Sequence, residues 1–217
     1  MEKNNPTPAA QVDESEDILA KARANKKTIM WLSIAAFVII IGAFVWILVA
    51  QSGSRKADEL AARADAAAGD SIALALYQQA AEAGYKSGHR AAAEAAIRLY
   101  QDGKYEEAIK YLDKASLDDK IAAAGVYTLK GDCYVNLEKY SDAISCYKKA
   151  VSKADKNPEI VPFILVKEAN VYRAQADYAA EAKCYKTIID EYPTYARGIS
   201  TDIKKYYQRA LAASQAK

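Results

Sequence analysis

The sequence predicts an all-α protein: one membrane-crossing helix, then a solenoid of stacked helical pairs closed by a capping helix. Three observations predict it. Residues 29–50 form an uncharged apolar run. From Gly53 onward, apolar residues recur at spacings of three and four, without the alternation of a strand. A tyrosine-led motif then returns at a period of a helical pair. With 9 Gly and 5 Pro in 217 residues, the chain also lacks the turn formers that a sandwich or barrel demands.

Residues 1–28 open on a polar, proline-containing stretch and become more helical from residue 13. Their basic and acidic groups cancel, which reads as a solvated cytoplasmic tail. Residues 29–50 follow as the anchor. Twenty-two residues at about 1.5 Å each reach roughly 33 Å, enough to cross a hydrocarbon core. Trp31 and Trp46 lie near its two ends, where indoles favour the interface. The run exceeds the roughly 7–15 residues of a secretory h-region, so an uncleaved anchor is expected. Lys21, Arg23, Lys26 and Lys27 precede it, against Arg55, Lys56 and Arg63 beyond. That bias places the N-terminus in the cytoplasm and residues 51–217 on the far side.

Residues 51–88 read as a stalk and leading helices. Residues 54–68 continue the anchor outward, and Asp70-Ser71 caps a helix over 72–83. Breakers fall at Gly69-Asp70, Gly84 to Gly88, Asp102-Gly103, Asn157-Pro158 and Pro193.

Residues 89–193 hold the repeat. KYEEAIKYLDKA, KYSDAISCYKKA and DYAAEAKCYKTI begin at residues 104, 139 and 177. Counting from Tyr105, Tyr140 and Tyr178, the small residues Ala108 and Ala143 follow at three. Leu112, Tyr147 and Tyr185 follow at seven, and Ala115, Ala150 and Ile188 at ten. Those intervals return to one helix face. Alanine there admits a neighbouring helix, and the aromatic fills the gap between units. The preceding helices carry Ala96, Gly131 and Ala169, each nine residues before its tyrosine. Glu181 breaks the pattern at the small position of the third unit. Pro158 comes late, which implies about three extra residues in that turn. Residues 194–217 are the capping helix, with Ile203, Tyr206, Tyr207 and Leu211 on its inner side.

Two antiparallel helices per unit, with small residues at the crossing, resemble the tetratricopeptide repeat. The likeness spans residues 89–193, about three repeats. It is fullest in the middle unit through Gly131, Tyr134, Tyr140, Ala143, Tyr147 and Ala150. Tail, single membrane helix, stalk and repeats together resemble the YfgM-like proteins of bacterial inner membranes. The segment from Tyr111 through Asp155 is similar to the version found in the Bacteroides group. The resemblance implies an ancillary subunit of the SecYEG translocon, with periplasmic repeats linking emerging client chains to periplasmic chaperones. Two other readings share the architecture: a cytosol-facing repeat receptor, and a scaffold for envelope or cell-division assembly.

The chemistry the composition withholds is as informative. Thirty Lys and Arg against 28 Asp and Glu leave a net charge of +2, with no basic stripe for nucleic acid. One His and three Cys leave little for a metal cage, so neither metal nor cofactor is expected. His89, alone at a helix start, reads as a surface or capping residue. Glu106-Glu107 and Asp118-Asp119 are adjacent, and neighbouring helical residues diverge by about 100°, which suits no acid/base pair. No phosphate loop or nucleophile elbow is present, and neither an enzyme nor a small-molecule substrate is expected. The three cysteines read as buried thiols. A Cys146–Cys184 disulfide is the alternative, and would need Cα atoms within about 7 Å. The 16 tyrosines fall mostly at core spacings.

What remains is a groove. In tetratricopeptide proteins the first helices line the surface that grips partners. The polar residues there that packing does not claim are Arg90, Asp132, Asn136, Asn170 and Arg173. Asn and Arg can bond a peptide's backbone and carboxylates.

Overall fold

The computed structural model describes residues 26–198 and 202–216. The polar tail expected over 1–28 lies outside them up to residue 25. The chain divides into two units, residues 1–51 and 52–217.

Helix α1 (Lys26–Asp65) contributes to both. Its residues 26–51 carry the uncharged run and are long and apolar enough to cross a membrane. Their side chains face outward on every side, with Trp31 67% and Trp46 72% exposed.

The second unit is a series of helical hairpins. Helices α2 (Asp70–Ala83), α3 (Tyr85–Gln101), α4 (Tyr105–Leu112) and α5 (Lys120–Asn136) are followed by α6 (Tyr140–Lys153), α7 (Ile160–Ala174) and α8 (Tyr178–Glu191). The short α9 (Pro193–Gly198) and the closing α10 (Ile203–Gln215) complete it. Among the described residues no strand occurs. Helices α3/α4, α5/α6 and α7/α8 pair as three hairpins within residues 85–191.

The turn inside each of these hairpins is the same device. Gly103, Glu138 and Ala176 adopt positive φ of 75°, 59° and 56°. The next N–H in each, from Lys104, Lys139 or Asp177, donates to the carbonyl of Leu99, Tyr134 or Tyr172 at 2.8–2.9 Å. This left-handed closure satisfies carbonyls that the helix end would leave orphaned. Side-chain caps help start α5, α8 and α10: Asp119 accepts from Ala122 N at 2.8 Å, Asp177 from Ala180 N at 3.1 Å and Asp202 from Lys205 N at 3.2 Å.

The small-and-aromatic pattern builds the core. Ala96, Ala108, Gly131, Ala143, Ala150 and Ala169 are buried, together with Leu112, Tyr147, Tyr185 and Ile188. A Cβ on Gly131 would fall 2.5 Å from the Tyr147 ring, so the crossing of α5 and α6 is close enough to require glycine. Cys133, Cys146 and Cys184 are buried free thiols.

Several expectations change. Residues 54–65 are more than a stalk. Ala57, Leu60, Ala61 and Ala64 are buried, and the last three share a core with Tyr77, Ala80, Ala91 and Ala95. That end of α1 therefore shares a core with α2 and α3, ahead of the three expected repeats. Helix α2 begins at Asp70, with Gly69 as its N-cap and no side-chain cap, so Asp70-Ser71 do not serve as expected. Gly88 is no breaker: it lies inside α3, where a Cβ would meet the Ala80 carbonyl oxygen at 2.9 Å. Helix α6 ends at Lys153, well before Pro158, and Asp155 and Lys156 turn the chain at positive φ. In α10 the buried pair is Ile203 and Ala210, while Leu211 is 37% exposed.

Candidate partner-binding face

The first helices α3, α5 and α7 stand side by side, and their outward residues make one face. On α5 the outward stripe is Ala122, Gly125, Leu129, Asp132 and Asn136, at helical spacings of three and four. Two grooves lie along it.

The groove between α3 and α5 has a volume of about 460 Å³ and is mainly apolar. Ala93 and Ile97 come from α3, with Ala122, Gly125, Val126 and Leu129 from α5. Arg90 and Glu94 are its only charged residues. Arg90 Nη2 donates to Asp65 Oδ2 at 2.8 Å, and Arg98 Nη1 donates to Glu94 Oε2 at 3.0 Å. The Arg90 bond, aided by the Tyr77 hydroxyl, holds the Asp65 carboxyl below its ordinary value. Arg90 thus ties the end of α1 to α3 besides edging the groove.

The groove between α5 and α7, about 280 Å³, is polar at its centre. Asp132 Oδ1 accepts from the Tyr147 hydroxyl at 2.6 Å, and Lys167 Nζ donates to both its oxygens at 2.9 and 3.0 Å. Burial pushes the Tyr147 hydroxyl far up, and the Asp132 bond adds to it, so that oxygen remains a donor. Asn170 lines the same groove. Asn136 Nδ2 donates to the Asp132 carbonyl at 2.9 Å. Arg173 is exposed, and it forms no ion pair among the described residues.

Of the five residues expected on this face, Asp132 and Asn170 line one groove, while Asn136 bonds the backbone of its own helix and lines neither. Arg90 belongs to the neighbouring groove, and Arg173 borders neither. Lys167 and Phe163 are additions: Lys167 Nζ lies 5.2 Å from the centre of the Phe163 ring, which is 49% exposed. Their spacing to Asn170, four and then three residues, is the signal that marks the outward stripe of α7.

Elsewhere, His89 Nδ1 lies 2.6 Å from the Lys114 carbonyl oxygen, a tie between α3 and the end of the first repeat. Because a carbonyl only accepts, that nitrogen carries the proton. Burial pushes the Cys133 and Cys184 thiols up to about 12, and Cys146 in the same direction. They are thiols, not thiolates, near neutrality. Among the described residues no group of His, Cys, Asp and Glu could hold a metal ion.

No family model matches the chain, and no curated protein matches it. Similar solved structures include two of MamA. A crystal structure of MamA aligns with a TM-score of 0.48 at 16% identity, covering 67% of this chain and 89% of that one. A crystal structure of MamA protein aligns with the same TM-score and identity, covering 78% and 93%. The solenoid reading rests on the hairpins of this chain, their shared turn and their shared core positions.

Proposed function

We propose that this chain is a membrane-anchored protein-interaction module. One observation supports it most: Ala122, Gly125, Leu129 and Asp132 on α5 line two open grooves that the fold leaves unfilled. Stacked hairpins present such a face at low cost, because each hairpin needs only its neighbours to bury its core. The uncharged run of α1 supplies the anchor.

The finer reading follows the sequence resemblance. The anchor sits in a bacterial inner membrane with the N-terminus cytoplasmic and the repeats periplasmic. The module joins translocon subunits to periplasmic chaperones or emerging client chains. Arg90, Asp132, Asn136, Asn170 and Arg173 are the proposed contacts.

The test is affinity purification of full-length protein from its native membrane, with quantitative mass spectrometry, beside an Arg90→Ala, Asn136→Ala, Arg173→Ala triple variant. Translocon subunits and chaperones recovered with wild type, and chaperones lost with the variant, are the expected result. Cytosolic or wall-synthesis partners instead would favour a cytosol-facing receptor or an envelope scaffold. Protease added to spheroplasts decides orientation: the repeats are degraded only if they face outward.

A further inference from the structure

Outside the apolar run, the large apolar side chains left exposed among the described residues are Ile72, Tyr85, Ile97, Ile121, Phe163 and Leu211. Tyr85, Ile121 and Phe163 stand in the first turns of α3, α5 and α7. The Cα–Cβ bonds of a helix tilt toward its N-terminus, so first-turn side chains lean out past the helix start. Two ion pairs join these starts into one edge. Lys86 Nζ lies 3.0 Å from Asp118 Oδ2, and Lys120 Nζ lies 2.6 Å from Asp155 Oδ2 in the α6–α7 turn.

The chain enters the second unit at this same edge. A Cβ on Gly53 would run into the Tyr85 ring, and the Ser87 hydroxyl donates to Asp58. Tyr85 holds φ at 62°, a left-handed value that a bulky side chain takes only under constraint. Ala50, the last residue of the apolar run, is three residues before Gly53. Three residues reach at most about 11 Å, however the two units are disposed. The headgroup layer is about 5–7 Å deep on each side of a bilayer, so the Tyr85 corner is held at or beside it.

Charge agrees with that placement. Arg55, Lys56, Lys153 and Lys156 are exposed here and form no ion pair among the described residues. The acids beside them are engaged: Asp58 by Ser87, Asp119 by the N–H of Ala122, Asp118 and Asp155 by lysines. Glu159 and Glu191 stay without such a partner, so positive charge is in excess.

We propose that this edge lies against the surface of an anionic bilayer. Tyr85, Ile121 and Phe163 enter the headgroup layer, and Arg55, Lys56, Lys153 and Lys156 answer its phosphates. This rests on the anchored-module reading and adds what the second unit meets at the membrane. The three apolar side chains stand singly between lysines rather than as one patch. A headgroup layer takes amphipathic side chains of that kind one at a time, whereas a protein partner calls for a contiguous apolar area.

The test uses full-length protein in nanodiscs of phosphatidylethanolamine and phosphatidylglycerol, with part of the lipid spin-labelled at the headgroup. Ile121→Cys, Phe163→Cys and Glu138→Cys each carry a fluorophore, the last in the α5–α6 turn at the opposite end. The native thiols are buried, so wild type is the labelling blank. Quenching at 121 and 163 is expected to exceed that at 138 several-fold. It should weaken when phosphatidylcholine replaces phosphatidylglycerol, and in the Lys153→Gln, Lys156→Gln background. Phe37→Cys, read with acyl-chain spin label, reports the anchor separately. Quenching at 37, with 121 and 163 no different from 138, overturns the inference and leaves the anchor standing. No quenching at 37 overturns the anchor itself. Quenching at 121 and 163 that ignores lipid charge overturns the anionic assignment. Fluorophores there that are shielded without lipid quenching, in discs holding two copies but not one, overturn the inference in favour of a second copy of this chain.

Discussion

Glu181 is fully buried, and its Oε1 accepts a hydrogen bond from Arg209 Nη2 at 2.6 Å across the α8/α10 contact. At the matching positions of the earlier hairpins stand Ala108 and Ala143, also fully buried, which admit the next hairpin by being small. The departure in the third unit coincides with a change of neighbour. Helix α10 closes the array, and it alone supplies a cation for a carboxylate at that crossing. A helix without that cation would bury an unanswered charge, so the pair ties the cap to its place.

Arg209→Ala is therefore expected to cost about 3–5 kcal/mol, because it strands the Glu181 carboxylate. The double variant Glu181→Ala, Arg209→Met removes both charges and should recover most of that loss. Urea denaturation followed by circular dichroism reads both. A double variant no more stable than Arg209→Ala would show that the pair is not the source of the cost.

The middle hairpin has a different sensitivity. Tyr147 fills the crossing of α5 and α6, its ring against Gly131 and its hydroxyl bound to Asp132. Because that bond holds the ring, Gly131→Ala has little room to relax and should cost about 1–3 kcal/mol as overpacking. Tyr147→Phe keeps the ring and loses the bond. Lys167 still answers Asp132, so the loss should be about 1 kcal/mol. Thermal melts of the two variants should rank them in that order.

Burial protects the cysteines. With Cys133 and Cys184 raised to about 12, almost no thiolate exists at pH 8. A thiol reagent should find the native protein nearly inert and titrate three groups after denaturation. Rapid native labelling would mean that the hairpins open readily.

The repeats were legible because tyrosine and alanine recur at fixed helical intervals, and those intervals are the core positions of α4, α6 and α8. Glu181 was legible as a departure, but its partner was not: Arg209 lies 28 residues on, in a helix outside the repeat pattern. The packing of the end of α1 was hidden by composition. Alanines such as Ala57, Ala61 and Ala64 look alike in a stalk and in a tight crossing, and only Tyr77 across from them decides. Asp132 and Asn170, which line one groove, were named by subtracting core positions. Lys167 and Phe163 escaped because a lysine and an aromatic read as solvated charge and core when taken singly. Gly125 escaped because in sequence a glycine says only that the backbone is free.

The turns offer a stabilising change that the sequence conceals. Gly103 closes the first repeat at a φ that glycine adopts freely, while Ala176 holds the same turn at φ 56°. A non-glycine residue there is strained. Ala176→Gly should stabilise the fold by about 0.5–1 kcal/mol, less the extra freedom that glycine gives the unfolded chain. The check is a rise in the urea midpoint with unchanged slope.

The pH response of the third hairpin follows from Glu168. It is buried on α7 beside a cavity of about 250 Å³ that it shares with Lys148, Tyr172, Lys183 and Cys184. Burial raises its carboxyl above the ordinary value of 4.5, and Lys148 and the Tyr172 hydroxyl offset that only in part. A carboxyl raised in the folded state binds its proton more readily folded than unfolded. Its ionisation therefore lowers stability as pH rises through and above 4.5, and below that value the penalty vanishes. Glu168→Gln keeps the shape and removes the ionisation. It should stabilise the protein at pH 7–8 relative to wild type, with the difference shrinking as pH falls toward 4.5 and absent below it. Asp65 works in the opposite sense. Arg90 and Tyr77 lower its carboxyl below 3.8, so its contribution is present above that value and lost as pH falls through the lowered one. Urea midpoints of wild type and Glu168→Gln from pH 2 to 8 separate the two effects, because the variant cancels only the first. Parallel curves would mean that Lys148 and Tyr172 compensate Glu168 completely.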